Sequence, residues 1–322
     1  MRSFSRPNVV VSKCLGFDRC RYNGVTIPDA FVDQLKPYVT FHTVCPEVEI
    51  GLGAPRDPVR VVIVEGKHRL IQPSTEADLT EAMQNFVHAF LDSLENVDGF
   101  ILKGRSPSCG IKDVKVYRSL GKAAPVAKSD GFFGGAVLAR FPNLPVEEEG
   151  RLKNFGIREH FLTHLFTQAD FRAVKATGSI GDLVRFHSDN KLLLMAYREA
   201  ELRIMGRLVA NPEKRPADTV LADYEQHLAK ALVQPPRHNT SINVLMHALG
   251  YFSKGLSAEE KTFFLDALDR YRAGRIPLSV PVGIISAWIV RFGEPYLARQ
   301  TFFAPYPEDL VSVTDSGKGR KL

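Results

Sequence analysis

Short apolar runs of the kind that fill buried strands punctuate the first half of the chain. Residues 9–12, 38–44, 59–65 and 99–103 read as strands. Val59–Val64 and Leu70-Ile71 flank Glu65-Gly66-Lys67-His68-Arg69, a pattern that predicts a hairpin. From Asp78 to Leu94 the apolar positions Leu79, Met83, Phe86, Val87, Phe90, Leu91 and Leu94 recur at helical spacing. Phe155 to Ala176 predicts a longer helix, ending at Thr177-Gly178. Strands that alternate with helices predict an α/β domain built on a largely parallel sheet.

After Gly178 the strand pattern gives way to helical periodicity. Leu183 to Ala210 reads as one continuous helix closed by Asn211-Pro212, and Ala217 to Val233 as a second. Ser241 to Phe252 is a third, and Ser257-Ala258-Glu259-Glu260 is a capping box opening a fourth, with Gly274 as its C-cap. A short apolar helix follows Pro281, through Ile284-Ile285-Ser286-Ala287-Trp288-Ile289-Val290. The expected organisation is a Rossmann-like α/β domain over 1–177, an all-α domain over 178–310, and a flexible polar tail over 311–322.

Length and composition agree with two domains: 322 residues exceed one typical core, and 44% hydrophobic with 24% charged residues describes a globular protein. No uncharged apolar run approaches the ~18 residues of a membrane-spanning helix. The Met1–Pro7 segment leads straight into a strand without a signal-peptide core. Four cysteines are no disulfide framework, so the expected setting is a reducing cytoplasm in which thiols serve metals or catalysis. The formal charge of +6 is compatible with a polyanionic partner but modest for this size.

Three of those cysteines follow three different expected strands. Cys14 comes after Val9–Ser12, Cys45 after Tyr38–Val44, and Cys109, in Ser106-Pro107-Ser108-Cys109-Gly110, after Gly99–Lys103. In an open α/β sheet, ligands bind beyond the carboxyl ends of the strands. Thiols 31 and 64 residues apart in sequence are thereby expected to converge. Three soft ligands fit zinc or an iron–sulfur cluster with one position open. Ordinary buried cysteines, acting as small hydrophobes, fit the spacing equally well.

The stretches Cys14-Leu15-Gly16, Arg21-Tyr22-Asn23-Gly24, Cys45-Pro46-Glu47, Ser106–Gly110 and Asp130-Gly131-Phe132-Phe133 resemble the thiouracil desulfurase (TudS-type) family. Phe186-His187 with Asn190-Lys191, Asn243–His247, Gly250-Tyr251-Phe252 and Ala304-Pro305-Tyr306-Pro307 resemble the YbgA-type helical domain. The fusion is similar to RudS-type enzymes, which remove sulfur from 4-thiouridine in tRNA. The resemblance implies a [4Fe-4S] cluster on Cys14, Cys45 and Cys109, with Cys20 outside the ligand set. It also implies catalytic roles for Glu47 and Ser106 and a tRNA partner carrying 4-thiouridine.

The chemistry follows from softness. A thiocarbonyl sulfur prefers a soft Lewis acid, and binding it there drains electron density from the ring carbon and invites water. Sulfur leaves as hydrosulfide and oxygen takes its place, with no net redox change. Glu47 is the expected base, with Glu49 as its neighbour and competitor, and Ser106 the expected proton relay or hydrogen-bond donor.

The helical region holds sixteen Lys and Arg against fifteen Asp and Glu between 178 and 310, so its composition does not announce RNA. Local basic groups remain as candidate phosphate contacts: Arg203, Arg207, Lys214, Arg215, Arg237, Lys254, Arg270, Arg272 and Arg275. His187 and His247 sit among apolar residues and read as packed or capping side chains. Two other classes fit the same residues: a desulfurase of free thiolated bases whose helical domain is a partner module, and a noncatalytic RNA-binding protein with structural zinc.

Overall fold

A computed structural model describes residues 2–121 and 123–311. The tail expected over 311–322 lies, beyond Val311, outside the described residues. No helix among the described residues is long and apolar enough to cross a membrane.

In chain order the first elements are β1 (Asn8–Ser12), α1 (Ala30–Leu35), β2 (Thr40–Val44), α2 (Pro46–Glu49), β3 (Arg60–Val64), β4 (Lys67–Gln72), β5 (Ala77–Asp78) and α3 (Thr80–Asp92). Then come β6 (Gly99–Leu102), β7 (Val114–Tyr117), β8 (Ala127–Ser129), α4 (Phe132–Arg140), β9 (Val146–Glu148) and α5 (Phe155–Thr177). The remaining helices are α6 (Ile180–Asp189), α7 (Lys191–Ala210), α8 (Ala217–Leu232), α9 (His238–Phe252), α10 (Ala258–Arg272), α11 (Ser279–Phe292) and α12 (Pro295–Arg299). The described chain divides into two compact units, residues 5–169 with 309–311, and residues 2–4 with 170–308. The division falls within α5, upstream of Gly178.

The first unit holds the expected parallel sheet, in the order β2-β1-β6-β9 with every pairing parallel. Val9, Val10 and Val11 are fully buried, as a central strand covered on both faces requires. Met83, Val87 and Leu91 of α3 and Phe133 and Val137 of α4 pack with Val10, Phe100 and Leu102 in one core. The strand at 59–65 departs from expectation. It forms the hairpin with β4 but belongs to a second, mixed sheet in the order β5-β4-β3-β7-β8. Strands as short as β5, β7, β8 and β9 leave too few alternations for a period to register in sequence.

The second unit is all helix. The expected capping box of α10 is present in both halves: Glu260 N–H donates to Ser257 Oγ at 3.2 Å, and Ser257 N–H to Glu260 Oε2 at 2.7 Å. Gly274 follows α10 with φ +68°, the left-handed conformation glycine tolerates. The run expected as one helix over 183–210 is instead broken at Asn190 and kinked at Arg198 (φ −159°, ψ 93°). Asn190 accounts for the break: its Nδ2 donates to Phe186 O at 2.9 Å, and its Oδ1 accepts from Thr301 Oγ1 at 2.8 Å. Apolar periodicity continues across this junction, so it is invisible in the pattern. His247, expected to be packed or capping, is exposed in mid-helix, whereas His187 is half-buried in the last turn of α6 with Nδ1 3.1 Å from Tyr224 Oη.

Asn190 is 2% exposed, and its loss leaves Thr301 and the α6 terminus short of partners. Asn190→Ala is expected to destabilise the protein by about 1–3 kcal/mol, measured by urea unfolding of the intact chain. A midpoint within error of the wild type removes this network from the account of the break.

Candidate active site

The pairings Ser12↔Val44 and Val11↔Ile101 align the carboxyl ends of β1, β2 and β6 at one sheet edge. Cys14 lies two residues past β1, and Lys13 N–H donates to Val44 O at 2.8 Å, tying this turn to the end of β2. Cys45 directly follows β2 as the N-cap of α2, where Pro46 opens the helix. Cys109 hangs from the loop after β6. All four cysteines of the chain are buried and free of disulfides.

The Cys109 loop is built by two devices. The Ser106 hydroxyl accepts from the N–H groups of Ser108 (3.3 Å) and Cys109 (3.1 Å), closing a tight turn. The start of α4 then docks backbone to backbone: Gly131 N–H donates to Gly110 O at 2.7 Å, and Phe133 N–H to Ser108 O at 2.9 Å. A Cβ on Gly134 would stand 2.3 Å from Gly110 O and 2.6 Å from Cys109 O. Asp130-Gly131-Phe132-Phe133 and Ser106–Gly110 are therefore two halves of one cradle, joined through positions only glycine fits.

Around the thiols sits a fixed carboxylate. Arg56 donates to Glu47 Oε2 from Nε at 2.9 Å and from Nη2 at 2.6 Å, and Ser108 Oγ donates to Oε1 at 2.9 Å. Arg56 Nη1 also reaches Cys20 O at 2.8 Å. The α2 turn presents Glu47 inward, 9% exposed, and leaves Glu49 exposed, which takes the competitor out of the site. Arg56 and Ser108 were not singled out by sequence. Arg56 stands in an irregular loop with no motif, while Ser108 was legible only as part of the cysteine loop.

Cys20 also reaches the site. A hydrogen bond with the Cys14 thiol is the main reason its own thiol is pushed up to about 11, and Cys45 contacts it too. The Cys45 thiol is raised, first by its bond to Cys20 and then by burial. Burial pushes Cys109 up to about 12, with Ser12 and Ser106 hydroxyls at the sulfur pulling the other way. Among the described residues, no three His, Cys, Asp or Glu side chains stand close enough to share one metal ion. The donor set is three to four thiols on separate turns, which suits a multinuclear cluster better than a compact tetrahedral ion.

Of the basic candidates on the helical unit, Arg203 pairs with Glu199 and Arg272 with Asp269, both at 2.6 Å, and Arg215 pairs with Asp223. His238 packs at a tilt against Tyr271, with centroids 4.7 Å apart and planes at 52°, bringing the start of α9, with Arg237, to the end of α10, with Arg270 and Arg275 just after it. Arg203, Arg207, Lys214 and Arg215 gather separately around the α7–α8 turn. Lys254 is exposed just past α9.

Comparison with known proteins follows this division. The 2-thiouracil desulfurase family matches residues 9–149, which contain every residue of the site. The chain belongs to the 2-thiouracil desulfurase family. Behind this desulfurase domain, residues 191–307 match a family of unknown function, DUF1722, so the chain is a fusion of the two. The uncharacterized protein YbgA of Escherichia coli (strain K12) is 28% identical over 158 residues, covering 48% of this chain and 93% of its own. The uncharacterized protein YbbK of Bacillus subtilis (strain 168) is 32% identical over 110 residues, covering 32% of this chain and 72% of its own. Among solved structures, the [4Fe-4S]-dependent thiouracil desulfidase TudS aligns with a TM-score of 0.37 at 24% identity, over 46% of this chain and 93% of that one.

The glycine cradle of the desulfurase domain carries its own test. Gly134→Ala is expected to push the Ser108–Gly110 backbone away, at a cost of about 1–3 kcal/mol for overpacking, and to impair any function of Cys109. Thermal melting measures the first effect and thiol-labelling rates at Cys109 the second. A variant as stable and as protected as the wild type contradicts the docking geometry.

Proposed function

We propose that this chain is an iron–sulfur-dependent desulfidase that replaces the thiocarbonyl sulfur of thiolated uracil by oxygen, acting on 4-thiouridine in tRNA. One observation carries the chemistry: within the desulfurase-matched segment, four thiols and a clamped carboxylate meet at the carboxyl edge of the parallel sheet. Cys14, Cys45 and Cys109 would hold a [4Fe-4S] cluster. When bound, it supplies a soft Lewis-acid position for the substrate's sulfur. The balance needs no oxidant: thiocarbonyl plus water gives carbonyl plus hydrosulfide and a proton.

The protein's own part is proton handling and orientation. A carboxylate oxygen offers about two acceptor directions. Arg56 fills both on Glu47 Oε2, while Ser108 takes one on Oε1. The remaining lone pair, on Oε1, is therefore the one that accepts the proton from water. Ser108 and Arg56 fix this carboxylate by hydrogen bonds on both oxygens, so its direction is set before substrate arrives. The Ser106 hydroxyl accepts from two backbone N–H groups, which aims its own proton at the Cys109 sulfur beside the reacting position. Burial of the site excludes competing water and strengthens each of these bonds.

A second reading, that free thiolated bases are the substrate, is favoured by the matched family's description, which is of 2-thiouracil. Anaerobic reconstitution followed by parallel assays separates the two. Hydrosulfide release from free 2-thiouracil is set against nucleoside analysis of tRNA carrying 4-thiouridine. Uridine appearing in place of 4-thiouridine supports the tRNA reading, and turnover of the free base alone overturns it.

Single replacement of Cys14, Cys45 or Cys109 by Ser is expected to abolish cluster retention, read as bound iron and sulfide, whereas Cys20→Ser retains it. Glu47→Gln is expected to keep the cluster and lose turnover by roughly 10²–10⁴-fold. Undiminished turnover in Glu47→Gln removes this residue from the reaction.

A further inference from the structure

Between Glu225 and Glu259 the chain contains no acidic residue, and α9 lies wholly inside that interval. Its buried face is apolar: Ile242, Val244, Leu245, Ala248, Leu249 and Phe252 join the core of the helical unit. Its outward face is a stripe of Asn239, Asn243, Met246, His247 and Tyr251, with Lys254 just past the helix end, all exposed. The spacing of four, three, one and four residues keeps the five on one side of the helix. At 1.5 Å per residue they span about 18 Å. Arg237 stands exposed at one end and Lys254 at the other.

An ordinary solvated helix face mixes both signs of charge, as α10 does with Glu259, Asp266, Asp269 and Arg270 exposed. The α9 stripe has amides, an imidazole, a thioether and a phenol between two cations. Met246 is 43% exposed and Tyr251 53%, large apolar surfaces for positions turned to solvent. The Tyr251 ring is held in place by stacking on Tyr296 of α12, with centroids 5.6 Å apart and planes at 17°. Tyr296 is followed one turn later by exposed Arg299, which faces Asp189 at 3.7 Å. Glu294, the nearby acid of α12, is occupied in capping its own helix at Tyr296 N–H, 3.0 Å away.

We propose that this face of α9 is the surface on which the helical unit takes an unpaired stretch of RNA. This rests on the tRNA reading above and names its contact. A pre-oriented exposed aromatic ring accepts a base of any identity by stacking. Asn239, Asn243 and His247 offer donors and acceptors to base edges or ribose, and Arg237 and Lys254 meet phosphates at the two ends. The absence of carboxylates along the stripe removes the repulsion a polyanion meets on the other helix faces. The stripe takes in only Arg237 and Lys254 from the basic groups picked out by sequence; its other contacts are uncharged.

The test is fluorescence anisotropy with the cluster-loaded full chain and two probes, tRNA carrying 4-thiouridine and a short labelled oligouridine. The wild type is expected to bind both, with affinity falling as salt rises. Tyr251→Ala is expected to weaken binding by roughly 5- to 100-fold, the loss of one stacked base, while Tyr251→Phe stays near wild type. The pair Arg237→Glu with Lys254→Glu, both on exposed side chains and so safe for folding, is expected to weaken binding and flatten the salt dependence by about one to two phosphate contacts. Variants that bind both probes like the wild type overturn this surface while leaving the tRNA reading intact. A wild type that binds neither probe overturns both. Concentration-dependent dimerisation through Tyr251, with RNA binding unaffected, assigns the face to a second copy and overturns the proposal.

Discussion

Two thiols of the site, Cys14 and Cys45, follow directly from a parallel ladder centred on Val9, Val10 and Val11. These three residues are fully buried, pair with β2 on one side and β6 on the other, and have no polar face that could turn outward. A slip of one residue in either pairing would exchange the two faces of a strand and carry every residue beyond its end to a new place. The observed register places Ser12 opposite Val44, so that Cys14 and Cys45 follow at the same sheet edge, where both reach Cys20. Hydrophobic burial of three valines does the work of assembling ligands far apart in sequence.

Burial alone does not finish the site, because the Cys109 loop runs past the end of β6 with no ladder to hold it. There the chain substitutes backbone docking for strand pairing. The first N–H groups of α4, which have no partners within their own helix, donate to the carbonyls of the cysteine loop instead. Such an approach demands glycine at 131 and 134, and the apolar positions Phe133 and Val137 behind them anchor α4 in the core. One helix end therefore satisfies its own unpaired donors and fixes a thiol by the same bonds.

What could be read from the chain beforehand follows the same physics. Periodic burial leaves a trace in sequence, so β1, β2, β6, α3 and α5 and the order of the helices after Gly178 were legible. The ends of strands are legible too, which is why Cys14, Cys45 and Cys109 could be expected at one edge. Interactions without a period leave no trace: the Arg56 clamp on Glu47 comes from an irregular loop, and Asn190 breaks a helix whose apolar spacing runs straight through the break. Cys20 stood outside every quoted motif, yet the turn after Cys14 folds it back against Cys14 and Cys45. His247 misled because its sequence neighbours are apolar, although on a helix neighbours in sequence point about 100° apart.

A histidine between Met246 and Ala248 looks buried when the chain is read linearly, and looks deliberate when the helix is read by face. The inward face of α9 needs only apolar volume to close its core, and acidic residues on the outward face would cost nothing to that packing. Their absence across the whole interval from Glu225 to Glu259 is therefore not explained by folding. Nor does helix propensity explain it, since glutamate is a better helix former than the asparagine, histidine and tyrosine found there. Folding requirements thus give no reason for a stripe that is acid-free and partly aromatic, and this is the observation on which the proposed RNA contact rests.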